Sequence, residues 1–134
     1  MTRKVLLVDD EPGFALALRF TLEAEDLECE TATDMSSALK YLENNDVTVL
    51  VTDIMMPPGA DYPNVDSQET GFHLISIVKR RWPRLPVICL SVIGDHAKIE
   101  ALKRLNVRFL RKGETPLETA VKIIKKVSMG RSSY

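Results

Sequence analysis

Five short runs that read as strands, four of them aliphatic, punctuate the chain, and stretches of helical period lie between them. The first run, Lys4-Val5-Leu6-Leu7-Val8, reads as a strand. It stops at Asp9-Asp10-Glu11, three adjacent acids that no buried strand could carry further. Pro12 then suits the first turn of a helix, where its missing N–H costs nothing, and Phe14, Leu18 and Leu22 form an inward stripe. A second strand is predicted over Glu28–Ala32. Thr33 or Asp34 caps the next helix, which carries Met35, Ala38, Leu39 and Leu42 and stops near Asn44-Asn45. The third run, Val47-Thr48-Val49-Leu50-Val51-Thr52, is uncharged throughout, as a strand buried on both faces would be. It delivers a carboxylate, Asp53, at its end, with Pro57-Pro58-Gly59 close behind.

The second half repeats the alternation after an interruption. Residues 58–70 hold two prolines, a glycine and the acids Asp61, Asp66 and Glu69 without a basic residue, and they read as a loop. Gly71 reopens a helical pattern with Phe72, Leu74, Ile75 and Val78, which ends at Arg81-Trp82 before Pro83. Residues 86–91 form the fourth strand, and Asp95 caps a helix with Ile99, Leu102 and Leu105 inward. Val107-Arg108-Phe109-Leu110 is a short fifth strand leading into Arg111-Lys112-Gly113. Thr115 caps a last helix with Pro116 at its first position and Leu117, Ala120, Val121, Ile124 and Val127 on one face. The expectation is one domain over residues 1–127 and a flexible tail over 128–134. Strand and helix alternating five times predict an α/β fold, a doubly wound parallel sheet with helices on both faces.

Composition narrows the function. Of 134 residues, 45% are hydrophobic and 28% charged, which suits a folded chain rather than a disordered one. A net charge of -1 gives no bulk attraction to nucleic acid or an anionic membrane. No apolar run approaches the ~20 residues of a membrane span, and the N-terminus lacks a signal-peptide pattern. Cys29 and Cys89 both fall in predicted strands and read as small core residues, consistent with a reducing cytoplasm.

The chemistry-bearing residues share one placement. Asp9 and Asp10 follow the first strand, Asp53 the third, Ser91 the fourth and Lys112 the fifth, so all converge on one rim of one sheet. Three carboxylates meeting without a cation would repel one another, and a hard divalent ion, Mg²⁺ by preference, resolves this. Lys112 and Ser91 add a point charge and a hydroxyl, the parts that hold a phosphoryl group. Taken singly each has a plainer reading: Asp53 as a turn cap, Asp9-Asp10 as a solvated helix start, Lys112 as a surface lysine, Ser91 as a turn hydroxyl.

With Val8-Asp9-Asp10-Glu11-Pro12, Asp53-Ile54-Met55-Met56-Pro57, Ser91 and Arg111-Lys112 in these places, the chain resembles the receiver domain of two-component response regulators. The resemblance runs from Arg3 to Val127. It implies a flavodoxin-like five-stranded sheet of order 2-1-3-4-5, with Asp53 as phosphoacceptor for a histidine kinase or phosphotransfer protein. It implies Asp10 as a direct Mg²⁺ ligand (Mn²⁺ being an alternative ion), Asp9 acting mainly through water, and the backbone carbonyl of Met55 completing the set with Asp53. Ser91 is similar to the switching hydroxyl, Lys112 to the lysine that pairs with the phosphate, and Phe109 to the aromatic whose rotamer follows activation. The implied protein is cytoplasmic, a monomer or weak homodimer, and signals to a downstream protein partner rather than to nucleic acid or membrane. It accepts and hydrolyses its own phosphoryl group and is not a turnover enzyme.

Three departures from the family pattern stand out. The connection after Pro57 is longer by about ten residues than ordinary loops of this kind. Gly113 follows Lys112 where the family usually has proline, and Val92 follows Ser91 where a small residue is usual. The long loop, with Asp61, Asp66 and Glu69, is the expected partner-selecting element. Met55 and Ile93, two positions after the acceptor and the hydroxyl, cannot orient a water, which predicts a long-lived acyl phosphate unless the long loop supplies a polar group of its own, such as Gln68 or Asn64. The competing reading is a receiver-like interaction module that works without phosphorylation; a nucleotide- or flavin-binding enzyme is disfavoured because Asp9-Asp10-Glu11 would repel phosphates.

Overall fold

The computed structural model describes residues 3–92 and 95–132. They form β1 (Lys4–Val8), α1 (Pro12–Ala24), β2 (Glu28–Ala32), α2 (Met35–Asn44), β3 (Val49–Thr52), α3 (Thr70–Arg81), β4 (Val87–Ser91), α4 (His96–Arg104), β5 (Arg108–Arg111) and α5 (Leu117–Ser132). The strands make one parallel sheet in the order β2-β1-β3-β4-β5, the order the resemblance implied.

Two cores explain the unbroken apolar runs. Successive strand residues point to opposite faces, so a strand covered on both sides needs a hydrophobic residue at every position. On one face, Leu6, Val8, Leu50, Val87 and Cys89 meet Met35, Ala38, Leu39 and Leu42 of α2, Leu74, Ile75 and Val78 of α3, and Leu102 of α4. On the other, Val5, Leu7, Val49, Val51, Ile88, Leu90 and Leu110 meet Ala15, Leu18 and Leu22 of α1 and Ala120, Val121 and Ile124 of α5. Each large aliphatic residue among them contributes about 1.5–3 kcal/mol when fully buried. Cys29 and Cys89 lie in these cores as free thiols; burial pushes Cys29 up to about 12 and raises Cys89 as well.

Element ends moved where long-range contacts decide them. Thr48 precedes β3 rather than joining it, and its hydroxyl accepts the Lys4 N–H at 3.0 Å. Around α1, Ala15 replaces Phe14 as the deeply buried residue, and Phe14 is half-buried. The tail expected from Ser128 is corrected: α5 runs on to Ser132, and Ser128 is fully buried, its hydroxyl 2.7 Å from that of Thr48. A serine reads as the start of a polar tail until a partner 80 positions away in sequence accounts for it. Ser133 and Tyr134, the rest of that expected tail, lie outside the described residues.

Between β3 and α3 the chain is irregular but closely held. The Pro57 and Pro58 carbonyls accept the Met35 and Ser36 N–H groups at the start of α2. Gly59 takes φ +94 against Ser36, where a Cβ would collide with the serine side chain. Tyr62 and Val65 pack on the α2–α3 core, and the Ser67 carbonyl accepts the Met56 N–H at 3.1 Å. The expected loop of 58–70 therefore ends one residue earlier, with Thr70 opening α3 and fully buried.

Gly71 is the tightest point of the crossing. Its N–H donates to the Ile54 carbonyl at 2.8 Å, and a Cβ there would run into the Asp53 carbonyl oxygen and Ile54 Cα. Because the obstacle is backbone and not a flexible side chain, relief requires moving the residue that carries the Asp53 side chain. Gly71→Ala is expected to cost about 1–3 kcal/mol in urea unfolding, the usual range for overpacking. A loss below about 0.5 kcal/mol would mean that the Asp53–Ile54 backbone yields freely.

Candidate functional site

The strand ladder places the site. One residue beyond β1, the Asp9 N–H donates to the Ala32 carbonyl; one residue beyond β3, the Asp53 N–H donates to the Val8 carbonyl at 2.9 Å. One residue beyond β5, the Lys112 N–H donates to the Ser91 carbonyl at 2.8 Å. The backbone is thus still in the sheet at each residue where chemistry begins. The turn after Lys112 is completed by Gly113 at φ +87, a conformation that a glycine adopts without steric cost.

The side chains converge on one ammonium. Lys112 Nζ lies 2.8 Å from Asp9 Oδ2, 3.1 Å from Asp53 Oδ2 and 2.7 Å from Glu11 Oε1. Asp9, Asp53 and Lys112 are 2%, 6% and 7% exposed, so these charges are held out of water and depend on one another. Burial pulls the Lys112 ammonium down, but the bonds to Asp9 and Glu11 and the charges of Asp53 and Asp9 outweigh it, and its pKa rises. For Asp9 burial wins and raises the carboxyl, against Lys112 and the Glu11 N–H, which donates to Asp9 Oδ1 at 2.8 Å. Asp53 Oδ1 accepts the Ile54 N–H at 2.6 Å.

Asp10 is exposed beside this buried group, and ligand oxygens of Asp9, Asp10 and Asp53 lie within 4.8 Å of one another. That is a set of hard oxygen donors with an open side, the donor chemistry that Mg²⁺ takes. A cleft of about 400 Å³ opens in front of it, lined by Asp10, Glu11, Asp53, Met55, Met56, Pro57, Ser67 and Val92. Ser91 is fully buried next to this rim, and Phe109, paired with Cys89 across the sheet, is half-buried against the α2–α4 core.

Some expected site residues land elsewhere. Of the three loop acids, Glu69 pairs with Lys98 of α4 at 3.2 Å, and Asp66 Oδ1 accepts the Gln68 N–H at 2.9 Å. Asp61 is exposed, with its N–H donating to Ser36 Oγ. None of the three lines the cleft. Ile93 lies outside the described residues. Residues not singled out from sequence also contribute: Glu11 through Lys112, Phe14 with its ring centroid 4.5 Å from Lys112 Nζ, and Ser67 on the cleft. The acid triplet was the available signal for Glu11, whereas the packing of residues 58–69 brings Ser67 in from another part of the chain.

A model of the response regulator receiver domain matches residues 5–124. The chain belongs to this family. As a receiver it is 33% identical over 124 residues to Response regulator GtcR of Aneurinibacillus migulanus, which covers 92% of this chain and 47% of that protein. It is 29% identical over 111 residues to Response regulator protein PilR of Pseudomonas aeruginosa, covering 82% and 23% respectively. The receiver therefore spans less than half the length of these curated relatives. A receiver domain protein from Methanospirillum hungatei superposes with a TM-score of 0.83 at 16% identity, over 99% of this chain and 98% of that one. TrrA from Thermotoga maritima, solved in complex with Mg²⁺-BeF, does so with 0.76 at 20% identity, over 94% and 99%. At these identities the two structures establish likeness of fold. No described helix of the receiver is long and apolar enough to cross a membrane.

The buried charge group sets a stability test. Removing its one cation leaves Asp9 and Asp53 buried and uncompensated, so Lys112→Met should lose about 2–4 kcal/mol in metal-free urea unfolding. Millimolar Mg²⁺ should then stabilise Lys112→Met more than the wild type, because a divalent ion supplies the missing charge to the same carboxylates. Equal stability of the two metal-free proteins would show that Lys112 does not hold the group together.

Proposed function

We propose that this receiver is a phosphoacceptor: Asp53 takes a phosphoryl group from a histidine kinase or phosphotransfer protein, with Mg²⁺ bound, and a protein partner reads the resulting change. The observation that carries this reading is Asp53 itself, buried at the end of the central strand and facing the cleft beside Asp9, Asp10 and Lys112. In this reading Asp9, Asp10, Asp53 and the backbone carbonyl of Met55 hold Mg²⁺, which neutralises charge on the incoming phosphoryl oxygens. The fold likeness to a protein solved with Mg²⁺-BeF supports it.

The protein's own residues divide the remaining work. An Asp53 carboxylate oxygen attacks phosphorus as the bond to the donor breaks, with that bonding pair leaving on the donor. Lys112, already at 3.1 Å, stays charged and meets the developing phosphate. The Ser91 hydroxyl bonds a phosphoryl oxygen, and Phe109 follows Ser91, coupling the site to the α4–β5 side in a population shift. The domain acts as a switch rather than as a turnover catalyst, and its working compartment is the cytoplasm.

The loop acids take a narrower role than their number suggests. With Glu69 paired to Lys98, the exposed Asp61 and Asp66 are the outward charges through which the 58–69 segment biases donor choice. Asp61→Arg is expected to change transfer from a phosphotransfer protein by about two- to five-fold, with the effect shrinking as salt is added. A change insensitive to salt would remove charge as the cause.

Val92, 62% exposed at the cleft mouth, is the feature that favours the competing reading of a module working without phosphorylation. Intact mass after incubation with acetyl phosphate separates the two. One phosphoryl adduct is expected with Mg²⁺ and none without it or in Asp53→Asn. An adduct that survives Asp53→Asn, or none in the wild type, would overturn the proposal.

A further inference from the structure

The cleft in front of Asp53 has a composition that singles out one residue. Of its lining side chains, Met55, Met56, Pro57 and Val92 offer no strong hydrogen-bonding group. Asp10, Glu11 and Asp53 are carboxylates. Glu11 is held at 2.7 Å by Lys112, Asp10 belongs to the metal set, and Asp53 is the acceptor. Among the described residues lining the cleft, Ser67 carries the one uncharged hydroxyl. It comes from the long β3–α3 connection that distinguishes this protein.

Ser67 is also fixed in place. Its carbonyl accepts the Met56 N–H at 3.1 Å and lies 3.4 Å from the Thr70 hydroxyl, which can donate to it. The adjoining turn is closed by Asp66, whose side chain accepts the Gln68 N–H and whose carbonyl accepts the Glu69 N–H, each at 2.9 Å. Glu69 in turn is tied to Lys98. The backbone that carries this hydroxyl is held at the cleft, so a hydrogen bond from the side chain needs little further ordering of the chain to orient a reactant.

We propose that Ser67 positions the water that hydrolyses the phosphoryl group on Asp53, an inference that rests on the phosphoacceptor reading. The hydroxyl accepts a hydrogen bond from the water and leaves a water lone pair directed at phosphorus. The new bond forms from water oxygen to phosphorus. The bond from phosphorus to the Asp53 oxygen breaks, and its electron pair returns to the carboxylate. The proton shed by the water ends on the inorganic phosphate or in solvent, so serine is neither consumed nor ionised. The long connection thereby offsets what Met55 cannot supply, and the acyl phosphate is shorter-lived than the sequence alone predicts.

Loss of one such hydrogen bond slows hydrolysis about five- to ten-fold. The test follows decay of phosphoprotein, prepared with acetyl phosphate and Mg²⁺ and freed of donor, by intact mass in the wild type, Ser67→Ala and Ser67→Thr. Expected are slow decay in Ser67→Ala, recovery in Ser67→Thr, and matching urea-unfolding curves for the three proteins. Unchanged decay in Ser67→Ala, or slow decay in Ser67→Thr as well, overturns the role of Ser67. Failure of the wild type to accept any phosphoryl group overturns instead the reading beneath it, and this inference with it.

Discussion

One buried ammonium holds this site together. Lys112 Nζ sits within 3.1 Å of three carboxylates, two of them almost wholly out of water. Burying Asp9 and Asp53 side by side without it would cost several kcal/mol, since neither carboxylate could be solvated and each would repel the other. The sheet can therefore end in acids at two adjacent strands only because a third, two strands away from β3, ends in a lysine. Without metal, Lys112 is the counter-ion that makes the acidic rim compatible with folding, and Phe14 covers it from the α1 side.

That arrangement changes how the crowded acids should be understood. Carboxylates converging on one rim suggest repulsion relieved by a divalent cation, yet Lys112 already offsets part of it. Asp10, exposed and outside the lysine's reach, is the carboxylate left to attract an ion at low cost. A cation entering beside Asp10 meets oxygens shared with Lys112, so binding of the ion and the position of the ammonium are coupled. A site of this kind is pre-formed in its backbone and adjustable in its charges.

The connection between β3 and α3 is a second departure from expectation. Length and composition suggest a flexible acidic loop whose three negative charges face a partner. Instead Tyr62 and Val65 add to the core, Gly59 packs against Ser36, and Glu69 finds Lys98 on α4. Its apolar residues repay the ordering of its backbone, so the segment acts as a wall of the cleft in front of Asp53 rather than as a tether.

Much of this protein was legible in its residues. Aliphatic runs covered on both faces, helices of 3.6 period between them and a charged or hydroxyl residue at each strand end specified the sheet and one reactive rim. Those signals are local, set by side-chain alternation and by where a buried strand must stop. The family resemblance supplied the strand order, which periodicity alone does not contain. What tertiary structure decided are the contacts between residues far apart in sequence. They include Ser128 extending α5 through Thr48, Glu11 and Phe14 enclosing Lys112, Gly71 pressed on the Asp53 backbone, and Ser67 on the cleft. The serines, Phe14 and Gly71 bear no mark of such roles in the sequence, and Glu11 is marked only by its place in the acid triplet. Each acquires one only when folding puts a specific partner within a few ångströms, and a hydrogen bond, ion pair or close approach has no energy until then.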